Sequence, residues 1–330
     1  MRNKIEILDA LRAFAALSVC FFHFVCTTTG YIESESIKAF FNNGQYGVQL
    51  FFVISGFVIP WSMKAGGYSI KNFFIFFVKR LTRLEPPYVI SVLLALLIIF
   101  LREEYMGREA AHKVISWNQV GLHFFYLIPF FGEYDWLNNV YWTLAIEFQY
   151  YLFMAVFYVV LTNGNRLQRY GFYALCLISA FLDNSEFLPY WLPVFLLGIL
   201  LFLYKAGYIS WKEYGKVCGI VLVFSFFRYP LGSLLYSIVP LVLVLKWENV
   251  KIPVLTGLGK FSYSIYLIHP LLGASLINLL SHTYREAFEK PMVILLGLVV
   301  TLFVSWLMYK IIEAPSKRLS SSIKYKRDFD

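Results

Sequence analysis

Long apolar runs recur along this chain with only short polar breaks between them. Ten read as helical membrane spans: roughly Leu8–Thr28, Val48–Met63, Pro86–Leu101, Val140–Leu161, Gly171–Leu182, Leu188–Tyr204, Val217–Phe227, Leu231–Leu245, Phe261–Leu280 and Met292–Ile312. A crossing helix needs about 20 apolar residues, so Gly171–Leu182 and Val217–Phe227 are the weakest of the set. Trp117–Phe131 is apolar and aromatic but short and broken by Pro129, which suits an interfacial or re-entrant piece on the outer side. The pattern predicts an all-α, polytopic bundle of about ten transmembrane helices. It forms one domain over residues 1–330, with a short basic tail within 313–330. No internal repeat of the kind that marks many transporters is visible.

Charge sharpens this picture. Only 15% of the 330 residues are charged while 59% are hydrophobic, a balance that a soluble fold of this size could not hide from water. With both termini inside, the inner loops carry Lys64, Lys71, Lys79, Arg80, Arg83, Arg166, Arg169, Lys205, Lys212, Lys216, Lys246, Lys251 and Lys260. The tail adds Lys317, Arg318, Lys324, Lys326 and Arg327, against Lys38, Arg102, Arg108, Lys113, Arg228, Arg285 and Lys290 outside. This asymmetry supports ten spans, because one missed or invented span would invert every later loop. The net charge of +9 therefore reads as topology, and no basic stripe on a polar domain suggests nucleic acid. Arg2 and Lys4 before an apolar run resemble a signal peptide, but Asp9 and Arg12 interrupt the run, so it reads as a retained first span. Cys20, Cys26, Cys176 and Cys218 show no metal-ligand spacing, and no metal is expected.

Ionisable residues inside spans are costly and are functional candidates by default. The first span holds Asp9, Arg12 and His23. Eleven residues separate Arg12 from His23, three helical turns plus roughly 20°, so they share a face about 16 Å apart. A neutral imidazole suits general-base work on a hydroxyl because its unperturbed pKa of about 6.5 lies near neutral pH. The plain alternative for His23 is a hydrogen-bonded packing histidine, and for Arg12 a side chain snorkelling to the interface. Glu147, in the fourth span, lies at a depth similar to His23 and is the carboxylate expected to orient it. Its alternative is a structural anchor bonded to Tyr150 or Tyr151. Before the third span come Lys79, Arg80 and Arg83, then Glu85, Pro86, Pro87 and Tyr88. Arg80 and Arg83 at i and i+3 could clamp phosphates, although cations at this boundary are also what topology alone demands. In the ninth span Ser262, Tyr266 and His269 fall on one face, and Glu313 ends the last span, where a salt bridge to Arg12, Arg80 or Arg83 is the plainest reading. His112, His123 and His282 read as surface or interface residues. No Walker loop or Gly-x-Ser-x-Gly elbow occurs.

At these residues the chain resembles the acyltransferase-3 family of integral-membrane O-acyltransferases. Leu8–His23 is similar to the family's Arg-x10-His signature, and Gly47–Phe57 to its second-span motif. Arg80–Tyr88 fits Arg-x-x-Arg-x-x-Pro-x-Tyr. Trp142–Tyr151 resembles Trp-x-Leu-x-x-Glu, with Thr143 where Ser is common. Phe261–His269 resembles Ser-Tyr-x-Ile-Tyr-Leu-x-His, and Glu313–Pro315 fits Glu-x-Pro. The resemblance implies transfer of an acyl group, by default acetyl, from an acyl-coenzyme A donor substrate, acetyl-CoA, with no permanently bound cofactor. The implied acceptor is a hydroxyl of a cell-surface polysaccharide, such as lipopolysaccharide O-antigen or exopolysaccharide, or its lipid-linked precursor. His23 takes the catalytic role, as base or as transient acyl carrier, with Glu147 and Arg12 beside it. Arg80, Arg83 and Tyr88 are the donor-binding candidates, and Trp142, Tyr266 and His269 the acceptor-binding ones. The chain resembles the short, membrane-only members of the family, which must complete transfer alone or with a separate partner. The expected setting is the inner (plasma) membrane, with the bilayer itself as a partner and a homo-oligomer left open. Two rivals belong to other classes: a transporter of a glycan or acyl intermediate, and an assembly protein whose polar residues only join helices.

Overall fold

The computed structural model describes residues 5–28, 30–106 and 115–325. Arg2, Lys4, Arg108, His112, Lys113, Lys326 and Arg327, which enter the charge pattern above, lie outside the described residues. The protein is helical with no strand among the described residues. Its helices are α1 (Ile7–Phe22), α2 (Glu35–Asn42), α3 (Gly47–Gly66), α4 (Phe73–Met106), α5 (Trp117–Phe124), α6 (Tyr141–Asn163), α7 (Arg166–Ile178) and α8 (Leu188–Lys205). They continue with α9 (Trp211–Arg228), α10 (Leu231–Trp247), α11 (Pro253–Gly259), α12 (Ser262–Ile268), α13 (Ser275–Leu280), α14 (Glu289–Met308) and α15 (Ala314–Ser322). Each of the ten expected spans coincides with helix. Among the described residues, seven helical stretches are long and apolar enough to cross a bilayer; α10 is apolar but has 17 residues, and α7 and α9 do not meet that standard. The chain is a multi-pass membrane protein.

Helix starts follow local chemistry. Ser210 accepts from the Glu213 amide at 3.2 Å, and Asn165 and Gln168 exchange side-chain-to-backbone bonds in a capping box. The centre is α8, whose residues from Trp191 to Leu203 are almost wholly buried. It lies against α3 at Gly56 and Gly198, where a methyl on either glycine would strike a backbone carbonyl of the facing helix, Phe195 or Val53. Small residues permit this approach, which brings many dispersion contacts within range and drives helix association in lipid. By contrast α4 and α14 lie at the periphery, with large apolar side chains such as Leu93, Phe100, Leu295 and Phe303 exposed where acyl chains would cover them.

Four details differ from the expectation. The third span is longer than Pro86–Leu101, because α4 runs unbroken from Phe73 through Pro86 and Pro87. Proline removes a helical donor, here those that would serve the Thr82 and Arg83 carbonyls, yet the helix continues; beside them the Tyr263 hydroxyl donates to the Leu84 carbonyl at 3.1 Å. Arg80 and Arg83 are therefore carried on α4 itself, with Arg80 buried and Arg83 half-buried. The tail is also not free: α15 docks on α4, with Ser320 donating to the Lys79 carbonyl and the Lys79 ammonium to the Ile323 carbonyl, both at 2.7 Å. His123 is fully buried in α5, bonded to the Gln119 carbonyl and accepting from the Leu137 amide at 3.0 Å. Finally, three helices pass into π-helical turns, at His23–Thr27, His269–Ala274 and Tyr309–Glu313. Such wide turns are rare and collect at functional sites. Two of these three begin at a histidine and the third ends at Glu313.

Candidate functional site

Two cavities of opposite chemistry meet inside the bundle. The first, of about 690 Å³, is basic. Arg12, Lys79, Arg80, Arg83, Lys260, Lys317 and Lys324 line it against three carboxylates, Asp9, Glu147 and Glu313. The second, of about 480 Å³, is aromatic and amide-rich: Phe22, Tyr46, Trp136, Trp142, Trp191 and Tyr266 stand with Gln45, Gln49, Asn139, Ser185, Glu186 and His23. Val48 and Tyr266 belong to the walls of both, so the cavities abut there. The Tyr266 hydroxyl is 2.9 Å from that of Thr143, which ties α12 to α6 at this wall.

In the basic cavity the cations are held by more than carboxylates. Arg80 is 6% exposed, donates to the Ser62 hydroxyl, and lies over the rings of Phe76 and Tyr151 at 5.1 and 5.6 Å. Cation–π contacts of this kind hold a guanidinium while leaving donors free, and its buried Nε has no partner among the described residues. Arg12 pairs with Asp9 at 3.5 Å. Glu313 does not pair with Arg12, Arg80 or Arg83 as expected. Instead it accepts from the Ser264 amide at 3.3 Å and hydroxyl at 2.5 Å, and takes Lys317 at 2.6 Å. The π turn Tyr309–Glu313 and the turn of helix after it carry both partners to α12.

His23 does not meet Glu147. The glutamate accepts from the Tyr151 hydroxyl at 2.6 Å and Ser55 at 3.3 Å and lines the basic cavity, whereas His23 lines the aromatic one. Equal depth along two helices says nothing about lateral neighbours, and the anchor reading of Glu147 through Tyr151 is the one the geometry supports. The neighbour of His23 is His269: its Nε2 is 3.1 Å from His23 Nδ1, with ring centroids 5.0 Å apart. Each ring also sets its Nδ1 against a carbonyl one turn back, Val19 at 3.0 Å and Ile265 at 3.1 Å.

Among the other sequence candidates, Trp142 and Tyr266 line the aromatic cavity, while His269 is wholly buried behind His23 and lines neither cavity. Tyr88 is also buried; its hydroxyl donates to the His123 carbonyl at 3.1 Å and its ring stacks on Tyr126, away from both cavities. Trp117–Phe131 contributes nothing to the aromatic cavity. Sequence reading missed Gln45, Gln49, Trp136, Asn139, Glu186 and Trp191. Of these only Gln49 carried a signal, as an amide inside an apolar run; its Oε1 is buried without a partner among the described residues.

A polytopic helical bundle with a cationic chamber, an aromatic chamber and a histidine pair beside their common wall defines the class of this molecule. The chain belongs to the acyltransferase-3 family: residues 5–310 match that family, described as an acyltransferase domain. A provisionally named O-acetyltransferase of Staphylococcus aureus (strain COL) is 26% identical over 94% of this chain, which spans 57% of that relative's length. A provisionally named acetyltransferase of Acidianus two-tailed virus is 26% identical, with 79% of this chain and 81% of the relative aligned. A provisionally named peptidoglycan O-acetyltransferase of Bacillus subtilis is 31% identical over 46% of this chain and 23% of its own length. No solved structure matches the chain.

Proposed function

We propose that this chain transfers an acyl group, acetyl by preference, from acyl-coenzyme A to a hydroxyl of a cell-surface polysaccharide or its lipid-linked precursor. The observation that carries this reading is the pair of abutting cavities, one suited to phosphates and one to a sugar. In the basic chamber, opening toward the cytoplasm, Arg80, Arg83 and Arg12 hold the donor phosphates by charge-assisted hydrogen bonds. The pantetheine arm runs toward the wall at Val48 and Tyr266. In the aromatic chamber, Trp142, Trp191 and Trp136 offer faces for a sugar ring, and Gln45, Gln49, Asn139 and Glu186 offer hydrogen bonds to its hydroxyls. His23 takes the proton of the acceptor hydroxyl as its oxygen attacks the thioester carbonyl. The carbon–sulfur bond breaks, and the departing thiolate takes that proton, so coenzyme A leaves as the thiol. General-base assistance of this kind contributes on the order of 10²–10⁴ in rate.

The test is transfer of radiolabel from acetyl-coenzyme A by protein reconstituted in liposomes, with a panel of acceptors that includes O-antigen, exopolysaccharide and peptidoglycan fragments. Label on one acceptor, lost in a folded His23→Ala variant, supports the reading. Full transfer by His23→Ala removes His23 from the chemistry. Movement of a glycan across the bilayer without donor consumption replaces the enzyme with a transporter.

A further inference from the structure

His23 and His269 make three ring-nitrogen contacts that constrain one another. A carbonyl oxygen can only accept, and two of the contacts are to carbonyls: Ile265 for His269 Nδ1 and Val19 for His23 Nδ1. His269 must therefore carry its proton on Nδ1, which leaves Nε2 with a lone pair. That lone pair faces His23 Nδ1 at 3.1 Å. If His23 were protonated on Nε2 instead, its Nδ1 lone pair would oppose both the Val19 oxygen and the His269 nitrogen. With the proton on Nδ1, one N–H serves both acceptors.

We propose that His269, together with the Val19 carbonyl, fixes the tautomer of His23, so that Nε2 of His23 is the atom that receives the acceptor's proton in the aromatic cavity. This rests on the transfer reading given above and adds a positioning residue to it. The order of bonds runs from the Ile265 carbonyl through the Nδ1–H of His269, its Nε2 and the Nδ1–H of His23 to the free Nε2 lone pair. An acceptor behind the ring that fixes which nitrogen of a histidine is reactive is a recurring device. Here the neutral imidazole of His269 fills that place. The π turns contribute, since each histidine is the first residue of one and bonds back to the last α-helical turn. Once the proton has arrived, the imidazolium of His23 still has an acceptor at Nδ1, and no proton need move within the pair.

Two measurements test this. The first uses protein labelled with ¹⁵N-histidine in liposomes, with the His23 signals assigned by their loss in His23→Ala. Solid-state NMR should find His23 protonated on Nδ1 and bare on Nε2. A proton on Nε2 overturns the proposal, whether or not the protein is active. The second compares two amide replacements at position 269. His269→Gln places an acceptor near the old Nε2, whereas His269→Asn can reach only the Ile265 carbonyl. The relay predicts that His269→Asn lowers kcat on the order of 10- to 100-fold with the donor KM little changed, while His269→Gln retains most of kcat. Equal losses in both variants, at matched thermal stability, assign His269 to packing and overturn the relay. If the wild-type tautomer is as expected but no acyl transfer occurs, the relay stands and the transfer reading fails.

Discussion

At the scale of single residues, the informative side chains are those that lipid would reject. Arg80 is the clearest: it is buried, held by two aromatic faces and one hydroxyl, and has guanidinium capacity to spare. Such a group binds a phosphate at little further desolvation cost, because folding has already removed it from water. Arg80→Ala should therefore raise the donor KM by roughly 10-fold or more with a smaller change in kcat, a loss of about 1.4 kcal/mol or more. Initial rates against acetyl-coenzyme A concentration measure it. Arg80→Lys should fail to rescue, since an ammonium cannot reproduce the planar fork. His23 and Arg12 were readable from sequence because charge inside an apolar run has few innocent explanations, whereas Arg80 stood at a span boundary and was marked by its i, i+3 spacing from Arg83. Glu186 and Asn139 were not, because they sit between spans, where polar residues are ordinary. The partner of His23 escaped for another reason: a depth comparison ranks carboxylates by height in the membrane, and His269 reaches His23 from a neighbouring helix.

At the scale of elements, the close approach of α3 and α8 carries the bundle's centre. Gly198→Leu should lower thermal stability by about 1–3 kcal/mol or prevent folding, because the added side chain has only the α3 backbone to meet. Gly219→Ala, in α9 with open space around it, should be neutral or stabilising by up to about 1 kcal/mol. Melting of the two variants in detergent, side by side, separates packing from helix propensity. All ten helical segments were readable from hydropathy. Their true ends were not, because Pro86 and Pro87 read as a start while tertiary contacts carry α4 straight through them. The π turns at His23, His269 and Tyr309 leave no mark in a pattern of apolar spacing, since each widens the helix by a fraction of a turn that several sequences tolerate.

At the scale of the whole molecule, charge asymmetry sets an orientation that labelling can test. In a cysteine-free background, Ser321→Cys should react with an impermeant maleimide only from the cytoplasmic side, and Thr283→Cys only from the opposite side. The reverse pattern would invert the bundle and move the basic chamber away from the side on which the proposed donor is expected. The wall at Val48 and Tyr266 then acquires a meaning beyond chemistry. With the two chambers open to opposite faces, as the proposed function requires, much of the transmembrane voltage would fall across it. A potential of 100 mV works on each elementary charge with about 2.3 kcal/mol, and that work would be concentrated at the wall to which Tyr266 and Val48 belong. Tyr266→Ala should make liposomes that contain it leak protons, visible as faster collapse of an imposed pH gradient, and cells that express it should pay for the leak in growth.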